Sequence, residues 1–137
     1  GLRGLALGAA LTGASWAFGA SRLAAPLPPE REATVRLVQP NAAQEAKWDP
    51  ERARGFFERQ LALSAEPAEG AAPSLVIWPE TAVPYLLDRA GPALEQIGAA
   101  GGGAPVAVGI QRTDGGTRGW NSLAVLAPDG GVTQVYD

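Results

Sequence analysis

Residues 74–81 read Ser-Leu-Val-Ile-Trp-Pro-Glu-Thr and predict a strand followed by a turn. The apolar run from Ser74 to Trp78 is the form expected of a short strand that is buried on both faces of a sheet. Glu80 follows in a turn that Pro79 restricts. Because ligands bind at the carboxyl ends of strands in parallel α/β sheets, we expect Glu80 to be a catalytic carboxylate that Trp78 and Val83 partly desolvate. The alternative is an ordinary solvated carboxylate in a turn.

The residues before this strand predict a parallel β-α-β unit. Thr34 to Val38 is rich in β-branched residues, which favours a strand. Asp49-Pro50-Glu51 then supplies an N-cap, a first-turn proline and an acidic residue, so a helix is predicted from Pro50 to Ser64. Strand, helix and strand in this order favour a right-handed parallel crossover. Four helix residues at helical spacing are expected in the core: Ala53, Phe56, Phe57 and Leu61.

The residues after the strand predict a short helix and three further strands. The helix covers about Pro92 to Ala100 and ends at three consecutive glycines. The strands are Pro105–Ile110, Trp120–Ala127 and Val132–Tyr136, and a hairpin turn at residues 128–131 joins the last two. Asn121, at the start of its strand, is interpreted as a structural residue. The whole pattern is typical of an α/β fold.

The first 33 residues have a different character. Residues 4–21 carry no charge and lie between Arg3 and Arg22, which predicts a transmembrane helix over residues 1–23. Small residues recur there every four positions, as is typical of a helix in a closely packed bundle, and we expect it to be the last helix of that bundle. A secretory signal peptide and a buried helix of a soluble protein are the alternatives. Residues 24–33 contain three prolines and predict a linker, so the second domain covers residues 34–137.

Composition excludes several classes of function. The net charge is −3 and the eleven basic residues are scattered, which gives no electrostatic support for nucleic-acid binding. With no Cys and no His, the chain has no disulfide, no thiolate nucleophile, no Ser/His/Asp triad and none of the usual zinc ligands, and we expect no metal and no cofactor. Because the sequence opens on Gly1 and ends at Asp137 within a predicted strand, we expect it to be an internal segment of a longer protein.

Four motifs occur in an order that is characteristic of one family. They are Gln39-Pro40-Asn41 followed by Gln44 and Lys47-Trp48, then Trp78-Pro79-Glu80, then Trp120-Asn121-Ser122, and last Tyr136-Asp137. In this series the chain resembles the apolipoprotein N-acyltransferases, the membrane-anchored branch of the nitrilase (carbon-nitrogen hydrolase) superfamily. The resemblance covers essentially the whole chain, with Trp120 at the position where the family has tyrosine.

The resemblance implies a fold and a set of catalytic residues. The fold is a nitrilase-like αββα sandwich, of which this chain would form the first part. The family uses a Glu, Lys and Cys triad, and Glu80 matches its glutamate, the general base that takes the proton from the cysteine thiol. The lysine would directly follow Asp137, and the cysteine would lie further on. We therefore expect the chain alone to be inactive.

The resemblance also implies the reaction and its location. A fatty acyl group is transferred from a phospholipid donor to the N-terminal diacylglyceryl-cysteine of an apolipoprotein through a cysteine thioester. The expected location is the bacterial cytoplasmic (inner) membrane, in a multi-pass protein whose catalytic domain is extracytoplasmic. A nitrilase-type amidase that hydrolyses small amides is an alternative, and a non-catalytic membrane-anchored binding domain is another.

Two further residues are candidates for substrate binding. Gln39 follows the end of a strand, where it could hydrogen-bond near the site or cap a turn. Trp48 is either a packing aromatic or part of an apolar wall that receives lipid chains. Lys47, the only lysine, matches the family's Lys-Trp motif and is not assigned to the triad.

Overall fold

The computed structural model describes residues 1–43 and 49–137. The chain divides into two compact units, Gly1–Glu32 and Ala33–Asp137. The motif residues Gln44, Lys47 and Trp48 lie outside the described residues, so their expected roles stay predictions. Each unit is described by itself below.

The first unit is built on helix α1, Leu2–Ala24, in which no residue is buried. The helix ends because Ala25 adopts an extended backbone conformation, as expected for a residue that precedes a proline, here Pro26. The predicted helix is confirmed, but within the described ranges no helix is both long and apolar enough to cross a membrane. The expected span over residues 4–21 is therefore not supported, because Gly, Ala, Ser and Thr dilute its few large apolar side chains.

The second unit contains a five-stranded sheet in which the strands follow chain order. Its elements are β1 Val35–Leu37, α2 Pro50–Ala65, β2 Leu75–Ile77, a short 3-10 helix Leu87–Arg89, α3 Gly91–Ala100, β3 Val106–Thr113, β4 Gly119–Leu126 and β5 Val132–Tyr136. Strands β1, β2 and β3 are parallel, and β4 and β5 are added antiparallel. The predicted α/β class and all the predicted elements of this unit are confirmed. Strand β3 is longer than predicted, because it pairs with β4 as far as Thr113.

Helix α2 begins as the sequence predicts but buries a different set of residues. The Asp49 side chain accepts a hydrogen bond from the Glu51 backbone N–H at 3.1 Å. Of the four residues expected in the core only Phe57 is fully buried, and the others are half-buried. Gln60 and Ser64 complete the buried face. These polar residues lie inside because they bond the segment that follows β2.

The core lies on one face of the sheet. Helices α2 and α3 contribute Phe57, Leu94 and Ile97 to a cluster that includes the fully buried strand residues Val76, Val106, Val108, Ile110, Ala124 and Leu126. Alternate strand residues point to the opposite face. That face is less covered, since Leu37 is 75% exposed and Leu123 is 39% exposed.

Candidate active site

The candidate site is the turn formed by residues 78–82, which begins where β2 ends. Trp78 N–H donates to the Ala107 carbonyl at 2.8 Å, and Ala82 N–H donates to the Gly109 carbonyl at 2.9 Å. Both ends of the turn are thus bonded to the backbone of β3. A Cβ atom at Gly109 would lie 2.6 Å from Glu80 Cα and 2.6 Å from the Pro79 carbonyl oxygen. The turn therefore lies directly on β3, and only glycine leaves room for it.

Within this turn, Thr81 adopts an uncommon backbone conformation. Its φ is 48°, in the left-handed region that β-branched residues rarely occupy. Its hydroxyl donates to Asn121 Oδ1 at 3.3 Å. Such conformations cost about 1–3 kcal/mol and persist only where surrounding contacts hold them. The contacts of the turn with β3 and β4 supply that constraint.

Glu80 is exposed and is contacted by a side chain from β4. Asn121 Nδ2 donates a hydrogen bond to Glu80 Oε1. The expected desolvation of this carboxylate by Trp78 is wrong: the Trp78 side chain is 2% exposed and packs edge to face on Phe57 of α2, inside the core. The sequence places Glu80 correctly at the end of the strand but does not show that the neighbouring tryptophan is buried beneath the turn.

A line of buried and part-buried hydrogen bonds supports the turn from the side of α2. Trp78 Nε1–H donates to Ser64 Oγ at 2.8 Å, and the Ser64 hydroxyl donates to the Gln60 carbonyl at 2.8 Å. The Gln60 side-chain amide donates to the Ala82 carbonyl at 3.0 Å. The two ends of the turn are therefore both bonded to α2, because Gln60 and Ser64 are four residues apart on one helix face.

Glu80 is one of the residues that line a cleft of about 360 Å³. The polar residues that line it include Gln60, Gln111 and Arg54, and Arg54 is paired with Glu58 at 2.9 Å. The remaining described lining residues are mainly apolar: Pro40, Ala42, Ala53, Phe56, Pro79, Thr81, Ala82, Val83, Pro84, Tyr85 and Leu86. A carboxylate beside an apolar cleft is an arrangement that suits proton transfer on a substrate with an apolar part.

The two candidate binding residues have different outcomes. Gln39 is exposed and is not among the described residues that line the cleft, whereas its neighbour Pro40 is buried and lines it. Val38 and Pro40 point inward, so alternation along the extended chain turns Gln39 outward. Trp48 lies outside the described residues. A role in binding stays a prediction for Trp48, and the structure gives Gln39 no contact with the cleft.

Sequence reasoning missed Asn121 and Gln60 as site residues. The sequence indicates a structural role for Asn121, but the residue contacts both Glu80 and Thr81. Its presence in the Trp120-Asn121-Ser122 motif was the available signal. Gln60 gave no signal, because a polar residue within a helix is expected to face solvent. Among the described residues no group of three or more acidic, His or Cys side chains is placed to hold a metal ion.

A second carboxylate lies on the neighbouring part of the sheet. Asp137 accepts hydrogen bonds from Arg112 Nε at 2.7 Å and from the Ser122 hydroxyl at 2.8 Å. The Arg112 guanidinium, followed by the Ser122 hydroxyl, lowers the pKa of the Asp137 carboxyl from 3.8 to about 2. Arg112 also stacks on the Trp120 ring at 4.2 Å. This cluster ties β3, β4 and the end of β5 together.

The fold and the site define a mixed α/β domain with a fixed carboxylate at the carboxyl end of a parallel strand. The chain is 37% identical to the apolipoprotein N-acyltransferase of Allorhizobium ampelinum, 39% identical to that of Sinorhizobium fredii and 38% identical to that of Rhizobium meliloti. Each alignment covers 98% of this chain and 27–28% of the relative. The chain therefore belongs to the apolipoprotein N-acyltransferase family, and it spans just over a quarter of the length of these relatives.

Comparison with solved structures gives a more distant likeness. A crystal structure of an N-terminal amidase superposes with a TM-score of 0.49 at 18% sequence identity. The superposition covers 74% of this chain and 27% of that one. No protein-family profile matches the chain.

Proposed function

We propose that the full-length protein transfers a fatty acyl group from a phospholipid to the N-terminal diacylglyceryl-cysteine of apolipoproteins, with Glu80 as the general base. The observation that carries the proposal is the fixed position of Glu80 at the end of β2, beside the apolar cleft. Family membership supports the reaction. The cysteine that forms the thioester and the lysine of the triad would come from residues outside this sequence.

In the proposed first half-reaction, the Glu80 carboxylate accepts the proton of the cysteine thiol. The thiolate attacks the ester carbonyl carbon of the phospholipid, the ester C–O bond breaks, and the lysophospholipid leaves as an alcohol after it receives the proton. In the second half-reaction the amino group of the acceptor attacks the thioester carbonyl. The C–S bond breaks, an amide forms, and the amine proton returns to the thiol.

The exposed face of the sheet supports the nitrilase-like αββα architecture that we propose for the complete domain. Alternate strand residues on this face are apolar but incompletely covered, such as Val35, Leu37 and Leu123. Apolar sheet faces are normally packed against a second layer. We propose that a second sheet of the full-length domain covers this one.

We further propose that the full-length protein works at the bacterial cytoplasmic membrane, with this domain on the extracytoplasmic side. A phospholipid donor requires the active site to lie at a bilayer surface. Helix α1 exposes Leu5, Leu11, Trp16 and Phe18, each more than 60%. These side chains need cover, and we propose that α1 packs against other helices of the full-length protein. Reporter fusions after Pro29 that give a cytoplasmic signal would contradict this topology.

The test of the proposed function uses Glu80→Gln in the full-length protein. The amide keeps the shape of the carboxylate but does not accept the thiol proton, so we expect acyl-enzyme formation to fall by about 10²- to 10⁴-fold. The readout is the thioester formed from a labelled phospholipid. Glu58→Gln is the matched control, because Glu58 is also an exposed carboxylate that accepts a side-chain hydrogen bond.

The outcomes separate the proposed reaction from its alternatives. A normal amount of thioester in Glu80→Gln would contradict the role of Glu80 as the base. A wild-type protein that hydrolyses small amides, without transferring acyl groups to a diacylglyceryl-cysteine peptide, would indicate a nitrilase-type amidase. A wild-type protein that binds phospholipid but forms no thioester would indicate a binding domain.

A further inference from the structure

The side-chain amide of Asn121 lies between two residues of the turn that carries Glu80. Its Nδ2 group donates to Glu80 Oε1, and its Oδ1 atom accepts from the Thr81 hydroxyl at 3.3 Å. Asn121 belongs to β4 and is paired with Gln111 of β3, so its backbone is held by the pairing of these two strands. The amide therefore bridges a rigid strand and the carboxylate at the candidate site.

The Glu80 carboxylate, which only accepts hydrogen bonds, determines which end of the Asn121 amide faces it, and the Thr81 hydroxyl holds the other end. An asparagine amide has a donor end and an acceptor end, and rotation by a half-turn exchanges them. With the Thr81 hydroxyl donating to Oδ1, the N–H₂ end faces Glu80. The opposite orientation would place the amide oxygen against the carboxylate, where two acceptors repel each other. With its φ of 48°, Thr81 has the backbone conformation in which its hydroxyl reaches Asn121.

These hydrogen bonds contribute little to folding. Both are exposed, and water competes for each of the groups involved. Buried bonds to α2 and backbone bonds to β3 already hold the ends of the turn. What the Asn121 contact adds is a fixed position for one oxygen of the exposed Glu80 carboxylate.

We propose that Asn121, held at its Oδ1 end by Thr81, is a positioning residue that fixes the Glu80 carboxylate for proton transfer. The proposal rests on the proposed function, since it assigns a partner to the proposed base. Misplacement of a reacting group by about 1 Å can lower a rate by about 10²-fold. Loss of the contact should therefore lower the rate of thioester formation while substrate binding and stability stay nearly unchanged.

The experiment compares substitutions at Asn121 and Thr81 in the full-length protein. We expect Asn121→Ala and Asn121→Asp to lower thioester formation at saturating phospholipid by about 10- to 100-fold. The half-saturating phospholipid concentration should stay within about twofold of wild type, as a kcat effect requires. Gln96→Glu is the matched control for amide-to-acid exchange, because Gln96 is an exposed residue of α3.

Substitutions at Thr81 test the hydroxyl that holds the Oδ1 end of the Asn121 amide. Thr81→Val keeps the β-branched shape and loses the hydroxyl, so we expect an intermediate loss of rate. Thr81→Ser restores the hydroxyl and should restore the rate to within about twofold of wild type. Thr133→Val is the control, since Thr133 donates to the Val125 carbonyl at an exposed site on β5.

The outcomes distinguish this inference from the proposed function. An inactive wild type, or a fully active Glu80→Gln, contradicts the proposed function. If the wild type is active and Glu80→Gln is not, unchanged rates of thioester formation in the Asn121 variants overturn the inference. A loss of rate that is accompanied by a lower melting temperature overturns it as well. Crystal structures give a test without activity: Glu80 should be in one conformation in wild type and in several in Asn121→Ala. A single unchanged Glu80 conformer in Asn121→Ala also overturns the inference.

Discussion

The turn that carries Glu80 is held in different ways on its two sides. On the side of α2, the residues that bond it are buried: Gln60 is 1% exposed and Ser64 is 3% exposed. On the side of β4, the hydrogen bonds of Asn121 are exposed. Buried bonds are costly to break, whereas exposed bonds exchange readily with water. We therefore expect the contacts with α2 to set the stability of the turn and the contacts with Asn121 to set the orientation of the Glu80 carboxylate.

The largest effect is expected from Gly109→Ala, which should displace the turn from its contacts with both α2 and β4. The new Cβ atom would lie 2.6 Å from Glu80 Cα and 2.7 Å from Thr81 N, and backbone atoms cannot move aside as a flexible side chain can. We expect a loss of about 1–3 kcal/mol in the free energy of unfolding. Thioester formation should also fall, because the turn must leave β3. Chemical denaturation and the thioester assay measure the two effects.

Gly119→Ala is the matched control for this substitution. Gly119 is also a strand residue, but a Cβ atom there would meet only the Arg112 carbonyl oxygen, at 3.7 Å, which is an ordinary contact. We expect nearly wild-type stability and rate. Equal losses in Gly109→Ala and Gly119→Ala would show that close approach of the turn to β3 is not the cause.

The next effect tests the buried side alone. Ser64→Ala leaves the Trp78 indole N–H buried without its acceptor, which should lower the free energy of unfolding by about 1–3 kcal/mol. The rate of thioester formation at a temperature where the protein is folded should change much less than in Asn121→Ala. Ser74→Ala is the control, because the Ser74 hydroxyl donates to Thr34 at an exposed site. A Ser64 variant with wild-type stability and a rate lowered 100-fold would reverse the roles of the two sides.

The sequence predicts the fold well because its signals are local. Val76 and its neighbours form a continuous apolar run, Asp49-Pro50-Glu51 starts a helix, and residues 128–131 form a turn. The same reasoning locates Glu80 at the end of β2. Each of these signals is contained in a few consecutive residues.

The contacts of the site could not be predicted in the same way because they join distant residues. Asn121 follows Glu80 by 41 positions, and Gln60 precedes Ala82 by 22. Which residues meet depends on the register of β3 with β4 and on the face that α2 turns inward. The burial of Trp78 beneath the turn, against its expected place beside Glu80, has the same origin.

The smallest effect concerns the neighbouring carboxylate, Asp137. Asn121 and Ser122 are consecutive in β4 and therefore point to opposite faces, so Ser122 bonds Asp137 and not Glu80. Contacts with Arg112 and Ser122 lower the pKa of Asp137 to about 2, below its ordinary value of 3.8. A carboxyl whose pKa is lowered by folding stabilises the folded state above its unfolded pKa. That contribution is lost as the pH falls from about 4 through about 2.

The test of this last effect is the melting temperature of the full-length protein and of Asp137→Asn between pH 7 and pH 2. At neutral pH, Asp137→Asn should melt slightly lower than wild type, because it loses the charge paired with Arg112. The difference should shrink below pH 4 and at high salt, since the pair is solvent-accessible. Thioester formation at pH 7 should stay within about twofold, because the hydrogen bonds of Asp137 go to Arg112 and Ser122. A loss as large as that of Asn121→Ala would mean that both carboxylates belong to the active site.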